Sequence, residues 1–219
     1  MKTVECNNKT YTPSKVICVG KNFEAHIAEM GGARIPSHPT IFFKPNSAIA
    51  WGSGELAIPA DLGLLHHEVE LTFLVGKRAK GVSVEEADSY IAGYGVGIDF
   101  TLRKLQALAK EGGKPWSLSK GFDNAAALSA FLPAEQDGDL KSRSLTLSVN
   151  GEIRQRGVVG DMLASPAEIL AYTASTITIE EGDVFMCGTP SGVDEVNDGD
   201  KIVATIEGLP TLELTVNRP

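Results

Sequence analysis

The sequence predicts a β-rich α+β fold, and three observations support this prediction. Short runs of strand-forming residues dominate the chain, helical patterns are few, and no repeat or linker divides it. A length of 219 residues is sufficient for one large hydrophobic core. We therefore expect residues 1–219 to form a single domain.

Two short turns predict β-hairpins, because asparagine and glycine tolerate the positive φ angles of a two-residue turn. The first turn lies at Asn7-Asn8 and the second at Asn150-Gly151. The strands that they join are residues 3–6, 9–12, 144–149 and 152–159. Further strands are predicted at residues 15–19, 40–44, 69–75, 93–99, 176–179, 184–187, 201–206 and 211–216.

Capping signals mark the start of two helices. Ser83 and Glu86 match a capping box. Ser165 is followed by proline and then by glutamate at the third helical position, which predicts a helix over residues 165–175. A further helix is predicted over residues 101–110, ending at the glycine pair 112–113.

A short helix is also predicted around residues 23–30, ahead of Gly31-Gly32, Pro36 and Pro39. A helix between flexible and stiff residues is typical of a mobile lid, which here would comprise residues 22–39. An ordinary surface connection explains the same pattern equally well.

Composition argues against several classes of protein. The net charge of −8 and the lack of a basic patch argue against nucleic acid as a partner. No apolar run is long enough to span a membrane, and the first residues lack the apolar core of a secretory signal. Cys6, Cys18 and Cys187 are widely spaced, which predicts buried thiols in a reducing compartment. We expect a cytoplasmic protein.

Three carboxylates form a candidate metal site. Glu68 and Glu70 are two residues apart in a run with strand character, so both side chains point to the same face. Asp99 ends a second apolar run and could complete the site. Such an all-oxygen site suits Mg²⁺ or Mn²⁺. The alternative is the solvated face of an ordinary antiparallel sheet.

Helical spacing groups two further pairs of polar residues. His26 and Glu29 are three residues apart, so the carboxylate could orient the imidazole and raise its basicity. Arg103 and Gln106 share the same spacing, and arginine could bind a substrate carboxylate through two hydrogen bonds. An exposed helix face would explain either pair without any function.

Two single residues complete the candidate set. Lys120 lies among apolar and aromatic residues and could stabilise a developing anion, although a lysine extending to solvent is the commoner outcome. Thr189 lies in the glycine-flanked turn 188–192, whose backbone N–H groups could bind a carboxylate. A plain turn is the alternative.

In these features the chain resembles the fumarylacetoacetate hydrolase family, in its small single-domain branch, which includes acylpyruvate hydrolases and oxaloacetate-acting enzymes. The resemblance runs from about residue 15 to the C-terminus. It rests on the order and spacing of residues 19–23, His26, Glu29, and segments 43–45, 66–70, 93–99, 116–120, 150–151, 181–183 and 188–190.

The resemblance implies a fold and a set of roles. The expected fold is a mixed β-sandwich roll with a few short helices, usually a homodimer. Metal ligands are implied at Glu68, Glu70 and Asp99. Catalytic residues are implied at His26, Glu29 and Lys120, the first two on a lid that orders over bound ligand. Substrate-binding residues are implied at Arg103, Gln106 and Thr189.

The expected function is that of a Mg²⁺- or Mn²⁺-dependent enzyme acting on small 2-oxo acids through a metal-stabilised enolate. The favoured reactions are C–C bond hydrolysis of acylpyruvates and keto–enol tautomerisation of oxaloacetate. Oxaloacetate decarboxylation, and hydration or dehydration of a 2-oxo acid, are alternatives. A binding protein without chemistry is a further alternative, although such a protein has no need of the His26–Glu29 pair.

Overall fold

The computed structural model of the chain describes residues 1–31, 37–136 and 138–219. Part of the predicted lid, including Gly32 and Pro36, lies outside the described residues. Within the described ranges, no helix combines the length and the apolar character needed to cross a membrane.

The structure contains many short strands and few helices. The strands are β1 (Val4–Cys6), β2 (Lys9–Tyr11), β3 (Lys15–Gly20), β4 (Thr40–Pro45), β5 (Ile49–Trp51), β6 (Gly54–Ala57), β7 (Leu65–His67), β8 (Val69–Val75), β9 (Ile91–Asp99), β10 (Thr101–Leu102), β11 (Ala126–Leu128), β12 (Leu132–Pro133), β13 (Ser144–Val149), β14 (Glu152–Val158), β15 (Val184–Met186), β16 (Asp194–Glu195), β17 (Lys201–Ile206) and β18 (Leu212–Asn217). The α-helices are α1 (Glu24–Glu29), α2 (Val84–Ala87), α3 (Arg103–Glu111), α4 (Ser117–Lys120) and α5 (Pro166–Thr176). Short 3-10 turns occupy Asn46–Ala48, Ala60–Leu62, Asp88–Tyr90, Ala134–Gln136 and Val159–Asp161.

Two large mixed sheets form the body of the molecule. The larger sheet has the strand order β4-β3-β15-β8-β9-β11-β5, with β12 added alongside β9, and the other has the order β14-β13-β17-β18-β6. Three pairs, β3 with β15, β5 with β11 and β6 with β18, are parallel, and the remaining pairs within these sheets are antiparallel. The predicted β-rich sandwich with few helices is therefore confirmed.

Apolar residues cover both faces of the larger sheet, because side chains alternate along each strand. In β3, Ile17 and Val19 join the main core between the two sheets, whereas Val16 and Cys18 join a second core on the opposite face. The same alternation recurs in β15, where Phe185 stacks on Phe73 at a centroid distance of 4.5 Å. A sheet buried on both faces explains why its strands read as nearly continuous apolar runs.

Both asparagine turns are confirmed. Asn7 and Asn8 have φ angles of 50° and 60°, and Asn150 and Gly151 have φ angles of 52° and 85°, as a type I′ turn requires. The helix predicted at residues 165–175 is α5, and Ser165 forms the predicted capping box with Glu168. The three cysteines are buried free thiols, as predicted.

One predicted element was wrong, and the start of another lies two residues later than predicted. Residues 176–179 do not form a strand, because α5 continues to Thr176 and only Ile179 makes an isolated bridge, to Ala79. The helix predicted from residue 101 begins at Arg103 instead, because Thr101–Leu102 pairs with β7 as strand β10. This pairing brings the start of α3 next to His66, at the edge of the predicted metal site.

Candidate active site

The pairing of β8 with β9 brings the three predicted metal ligands together. Glu70 lies opposite Gly97, and the Asp99 N–H donates to the Glu68 carbonyl at 2.8 Å. A Cβ atom at Gly97 would lie 2.5 Å from the Thr72 side chain, so the sheet needs glycine here. Tight strand packing therefore positions the carboxylates.

The carboxylates form a compact and buried cluster. One oxygen from each of Glu68, Glu70 and Asp99 lies within 4.8 Å of the other two, and none of the three residues is more than 5% exposed. Uncompensated burial of three negative charges would be very unfavourable. The cluster therefore depends on nearby positive charge.

Three cationic side chains provide that charge. The Lys120 ammonium lies 2.8 Å from Glu68 Oε2, 2.6 Å from Asp99 Oδ2 and 2.7 Å from Thr101 Oγ1. The Lys44 ammonium lies 2.7 Å from Asp99 Oδ1, and Arg103 Nη2 lies 2.5 Å from Glu68 Oε1. Three formal positive charges thus match three formal negative charges in the protein alone.

Arg103 is fixed from two further sides. Its Nη1 donates to Gln106 Oε1 at 2.8 Å, which confirms that the two side chains share a face of α3. Its Nε donates to His66 Nδ1 at 3.3 Å. Burial and the charge of Arg103 lower the pKa of His66 to about 4, so this imidazole is neutral and can accept the hydrogen bond.

The pKa values of Glu70 and Glu68 shift in opposite directions. Burial raises the pKa of Glu70 well above its ordinary value, and the charges of Asp99 and Glu68 raise it further. The Gly188 N–H, which donates to Glu70 Oε2 at 2.7 Å, only partly opposes this rise. Burial also acts on Glu68, but Lys120 and Arg103 outweigh it and hold the pKa of Glu68 well below its ordinary value. Glu70 is therefore the carboxylate that most readily holds a proton.

The cluster fits a hard divalent cation. Its donors are carboxylate oxygens, which Mg²⁺ and Mn²⁺ prefer. The structure also places a cation, the Lys120 ammonium, between Glu68 and Asp99, so this position already accommodates positive charge. Glu68, Glu70 and Asp99 would hold the metal ion.

Metal binding is expected to release protons from the carboxylate cluster. Glu70 must lose its proton to become a ligand, so protons and metal compete, and metal affinity should fall as the pH falls. Titration calorimetry with Mn²⁺ in two buffers of different ionisation enthalpy measures the number of protons released. A binding heat that is identical in both buffers would contradict the prediction. The exposed Glu24→Gln variant is the matched control and should release as many protons as the wild type.

The predicted His26–Glu29 pair lies beside the carboxylates, on α1. His26 Nδ1 lies 3.2 Å from Glu29 Oε2, and the Gly192 N–H donates to Glu29 Oε1 at 2.8 Å. Asn22, just before α1, donates to the Cys187 carbonyl at 2.7 Å. The base of α1 and its last residue are thus both tied to the loop that follows β15.

All but one of the nine predicted site residues line one cavity of about 50 Å³, and the ninth, Glu29, contacts His26 at its edge. The lining residues of this set are His26, Glu68, Glu70, Asp99, Arg103, Gln106, Lys120 and Thr189. The structure thus brings together residues that the sequence analysis selected from separate segments, and their individual roles are predictions.

Two buried polar residues near the site had no assigned role in the sequence. Lys44 is fully buried and donates to the carbonyls of Lys120 and Phe100 as well as contacting Asp99. Lys44 lies between Phe43 and Pro45 at the end of an apolar strand, and this position could have suggested a buried lysine. Gln155 is also fully buried, but it lies between two arginines in β14 and had no such signal.

Comparisons with known proteins match this architecture. Residues 15–217 match the family model described as fumarylacetoacetate (FAA) hydrolase, C-terminal. Oxaloacetate tautomerase YcgM of Escherichia coli (strain K12) is 45% identical over 199 residues, covering 90% of each chain. A mitochondrial oxaloacetate tautomerase of Arabidopsis thaliana is 42% identical over 205 residues, covering 94% of this chain and 92% of the relative.

A solved structure agrees over the whole chain. The structure of fumarylpyruvate hydrolase from Pseudomonas aeruginosa, in complex with Mn²⁺ and pyruvate, superposes with a TM-score of 0.94 at 33% identity. The match covers 100% of this chain and 96% of the other. Strand order, a buried triad of carboxylates and sequence similarity lead to one conclusion. The chain belongs to the fumarylacetoacetate hydrolase family.

Proposed function

We propose that this protein is a Mg²⁺- or Mn²⁺-dependent enzyme that interconverts the keto and enol forms of oxaloacetate. The observation that carries the proposal is the buried triad of Glu68, Glu70 and Asp99 beside the His26–Glu29 pair. Relatives named as oxaloacetate tautomerases, at 45% and 42% identity, support it.

Each group of residues has a distinct task in this proposal. A bound divalent ion would supply Lewis-acid polarisation of the 2-oxo group. Arg103, Gln106 and Thr189 bind the carboxylate of the 2-oxo acid and orient it in the cavity. Lys120 remains protonated, because Asp99 and Glu68 raise its pKa despite burial, and its ammonium stabilises negative charge that develops on the substrate.

His26 moves the proton. Its Nδ1 faces the Glu29 carboxylate, which can only accept a hydrogen bond when ionised, so Nδ1 carries hydrogen and Nε2 remains the basic nitrogen. In the direction of the enol, Nε2 takes a proton from C3 and the imidazolium then gives a proton to the 2-oxo oxygen. In the direction of the keto form, Nε2 takes the proton of the enol hydroxyl and gives it to C3. Glu29, itself held by the Gly192 N–H, stabilises the imidazolium that forms between these steps.

The mouth of the cavity favours a substrate with a second carboxylate. Lys21 and Lys110 line the cavity together with Arg103, and both lysines are exposed to solvent. Positive charge at an opening attracts anions and raises their rate of association. Oxaloacetate, a dianion, satisfies this arrangement better than an acylpyruvate with one carboxylate.

Residues 22–39 act as a lid in this proposal, over a single catalytic domain that comprises residues 1–219. The supporting observation is that His26 in α1 and Met30 directly after it line the same cavity as the carboxylates. Movement of α1 would therefore change the size of the cavity. The hydrogen bond from Gly192 to Glu29 would hold the lid in its closed position.

Hydrolysis of an acylpyruvate is the second candidate, because the fumarylpyruvate hydrolase structure superposes over the entire chain. Here the His26–Glu29 pair would activate water for attack on the 4-oxo carbon, and the C3–C4 bond would break. Oxaloacetate decarboxylation would use the same carboxylate-binding residues. These reactions differ in the group that leaves, so a direct comparison of rates separates them.

The test is a parallel assay of the Mg²⁺-loaded protein on oxaloacetate, acetylpyruvate and fumarylpyruvate. Loss of enol absorbance follows tautomerisation, and a coupled lactate dehydrogenase assay follows pyruvate release. The Asp99→Asn variant at the same Mg²⁺ concentration measures the background that free metal produces. Tautomerisation with the highest kcat/KM supports the proposal, faster cleavage of an acylpyruvate supports the second candidate, and no metal-dependent turnover would refute both.

We further propose a homodimer, and the exposed apolar residues around α3 and α4 support it. Leu108 and Leu118 are 63% and 76% exposed, and Phe43 is exposed on β4, which pairs on one side only. Helix α4 packs against both α3 and β4, so these side chains share one surface. A surface of this kind on a folded protein is typical of an interface.

Light scattering after size exclusion is expected to give twice the mass of 23.2 kDa for the wild-type chain. The Leu108→Glu/Leu118→Glu double variant should elute as a monomer, because two buried carboxylates would oppose association. Ile153→Glu, on the exposed side of β14, is the matched control and should remain dimeric. A monomeric wild-type chain would contradict the proposal.

A further inference from the structure

Gln155 is a fully buried glutamine on a strand that is otherwise largely exposed. In β14, the neighbours Arg154 and Arg156 are exposed, whereas no part of Gln155 is accessible. The register with β13 shifts here, so that Leu147 pairs with Gln155 and Ser148 with Ile153. Arg154 is therefore the extra residue of a β-bulge, which turns Gln155 to the buried face that it shares with Leu147.

The Gln155 carboxamide makes four hydrogen bonds. Its Oε1 accepts from the Val69 N–H at 3.0 Å and lies 2.9 Å from His67 Nδ1. Its Nε2 donates to Thr189 Oγ1 at 2.8 Å and to the Pro190 carbonyl at 3.0 Å. One side chain thus links the residues on either side of Glu68 to the turn that carries Thr189.

The partners determine which way the carboxamide points. A backbone N–H can only donate, so the atom facing Val69 is the oxygen, and a carbonyl can only accept, so the atom facing Pro190 is the nitrogen. The nitrogen therefore also donates to Thr189 Oγ1. Because that hydrogen bond uses a lone pair of the hydroxyl oxygen, the Thr189 hydroxyl keeps its own hydrogen for another acceptor.

We infer that Gln155 is a positioning residue that fixes the Thr189 hydroxyl as a hydrogen-bond donor toward the substrate carboxylate. Thr189 lines the cavity and is 3% exposed, so the acceptor for its hydrogen is a group in the cavity. The inference rests on the proposed function, in which Thr189 binds the carboxylate of a 2-oxo acid. It adds that the donor direction is set by Gln155, which itself never touches the substrate.

Binding of oxalate to the Mn²⁺-saturated enzyme tests the inference without turnover. Oxalate presents the adjacent carboxylate and carbonyl-like oxygens of a 2-oxo acid, and Trp116 in the cavity wall gives a fluorescence signal, with calorimetry as a second readout. Thr189→Val and Gln155→Met are each expected to weaken oxalate binding by about tenfold or more, the usual effect of losing a hydrogen bond to a charged group. The exposed Gln136→Met is the matched control and should bind oxalate as the wild type does.

The double variant distinguishes action through Thr189 from a general loss of structure. If Gln155 acts through the Thr189 hydroxyl, adding Gln155→Met to Thr189→Val should weaken binding by less than about twofold more, because the hydroxyl is already gone. In turnover of oxaloacetate, Gln155→Met should raise KM about tenfold and change kcat little. Equal losses in both backgrounds, or a fall in kcat alone, would overturn the inference.

A second substitution covers the case in which Gln155→Met does not fold. Gln155→Glu keeps an acceptor toward Val69 and replaces the donor toward Thr189 with an acceptor, so the Thr189 hydroxyl would turn its hydrogen away from the cavity. This variant should weaken oxalate binding at least as much as Thr189→Val does. Unchanged oxalate affinity in both Gln155 variants, with a loss in Thr189→Val, would overturn the inference alone. Unchanged affinity in Thr189→Val would instead refute the role of Thr189 in the proposed function.

Discussion

Replacing Asp99 with asparagine is expected to remove Mn²⁺ binding and to lower kcat/KM for oxaloacetate by about a thousandfold, since a Lewis acid contributes several kcal/mol to such reactions. Asp99 is fully buried and contacts both Lys44 and Lys120 within 2.7 Å. An amide of the same shape keeps the packing but loses the negative charge that both ammonium groups and the metal ion need. The loss of metal binding and activity should therefore result from the missing charge and not from a change in packing.

Two measurements separate loss of metal from loss of fold. Calorimetry with Mn²⁺ reports binding, and thermal unfolding without metal reports stability, which should also fall because two buried ammonium groups lose a partner. Asp61→Asn, at an exposed position, should leave both properties unchanged. Wild-type Mn²⁺ affinity in Asp99→Asn would show that the carboxylate is not a ligand, and turnover in excess chelator would refute the metal-dependent mechanism.

Replacing His26 with glutamine should lower kcat by about 10²–10⁴-fold, the usual contribution of a positioned acid–base group, and leave Mn²⁺ affinity unchanged. The imidazole contacts Glu29 and lines the cavity, but it belongs to α1 and not to the strands that hold the carboxylates. Glu29→Gln should give a smaller loss, because the imidazole remains but its orienting charge does not.

Exchange of hydrogen for deuterium at C3 of a 2-oxo acid, followed by nuclear magnetic resonance, measures the proton transfer directly. His26→Gln should abolish enzyme-dependent exchange. Glu24→Gln is the matched control, because Glu24 lies on the same helix and is exposed. Exchange at the wild-type rate in His26→Gln would assign the proton transfer to another group.

Local signals account for the elements that could be predicted from the sequence. Asn150-Gly151 and Ser165 act through their own backbone neighbourhood, so a turn and a helix start could be recognised without any knowledge of the rest of the chain. The run at residues 176–179 alternates threonine and isoleucine, which is typical of a strand. It is not one, because the final turn of α5 includes Thr176 and the Ile177 N–H still donates to the Thr173 carbonyl of that helix. Ile179 makes an isolated bridge to Ala79.

The site likewise contains residues that local sequence patterns predict and residues that they do not. Glu68 and Glu70 are close in sequence, and the alternation of side chains along a strand was enough to place them together. Lys44 and Gln155 lie on β4 and β14, which pair with the neighbouring strands β3 and β13. Their side chains, however, contact residues far away in the sequence, Asp99 for Lys44 and Val69 and Thr189 for Gln155. The inward orientation of Gln155 also depends on a β-bulge, and the sequence of β14 contains no residue that predicts this bulge. Resemblance to the family supplied the roles that spacing could not.

The balance between three carboxylates and three cationic side chains has a consequence for how the protein matures. Because Lys44, Lys120 and Arg103 already neutralise the cluster, folding does not have to wait for an ion. A newly made chain can reach its final shape in a metal-poor environment and acquire its ion afterwards. Removal of a bound ion with a chelator should then be reversible without refolding.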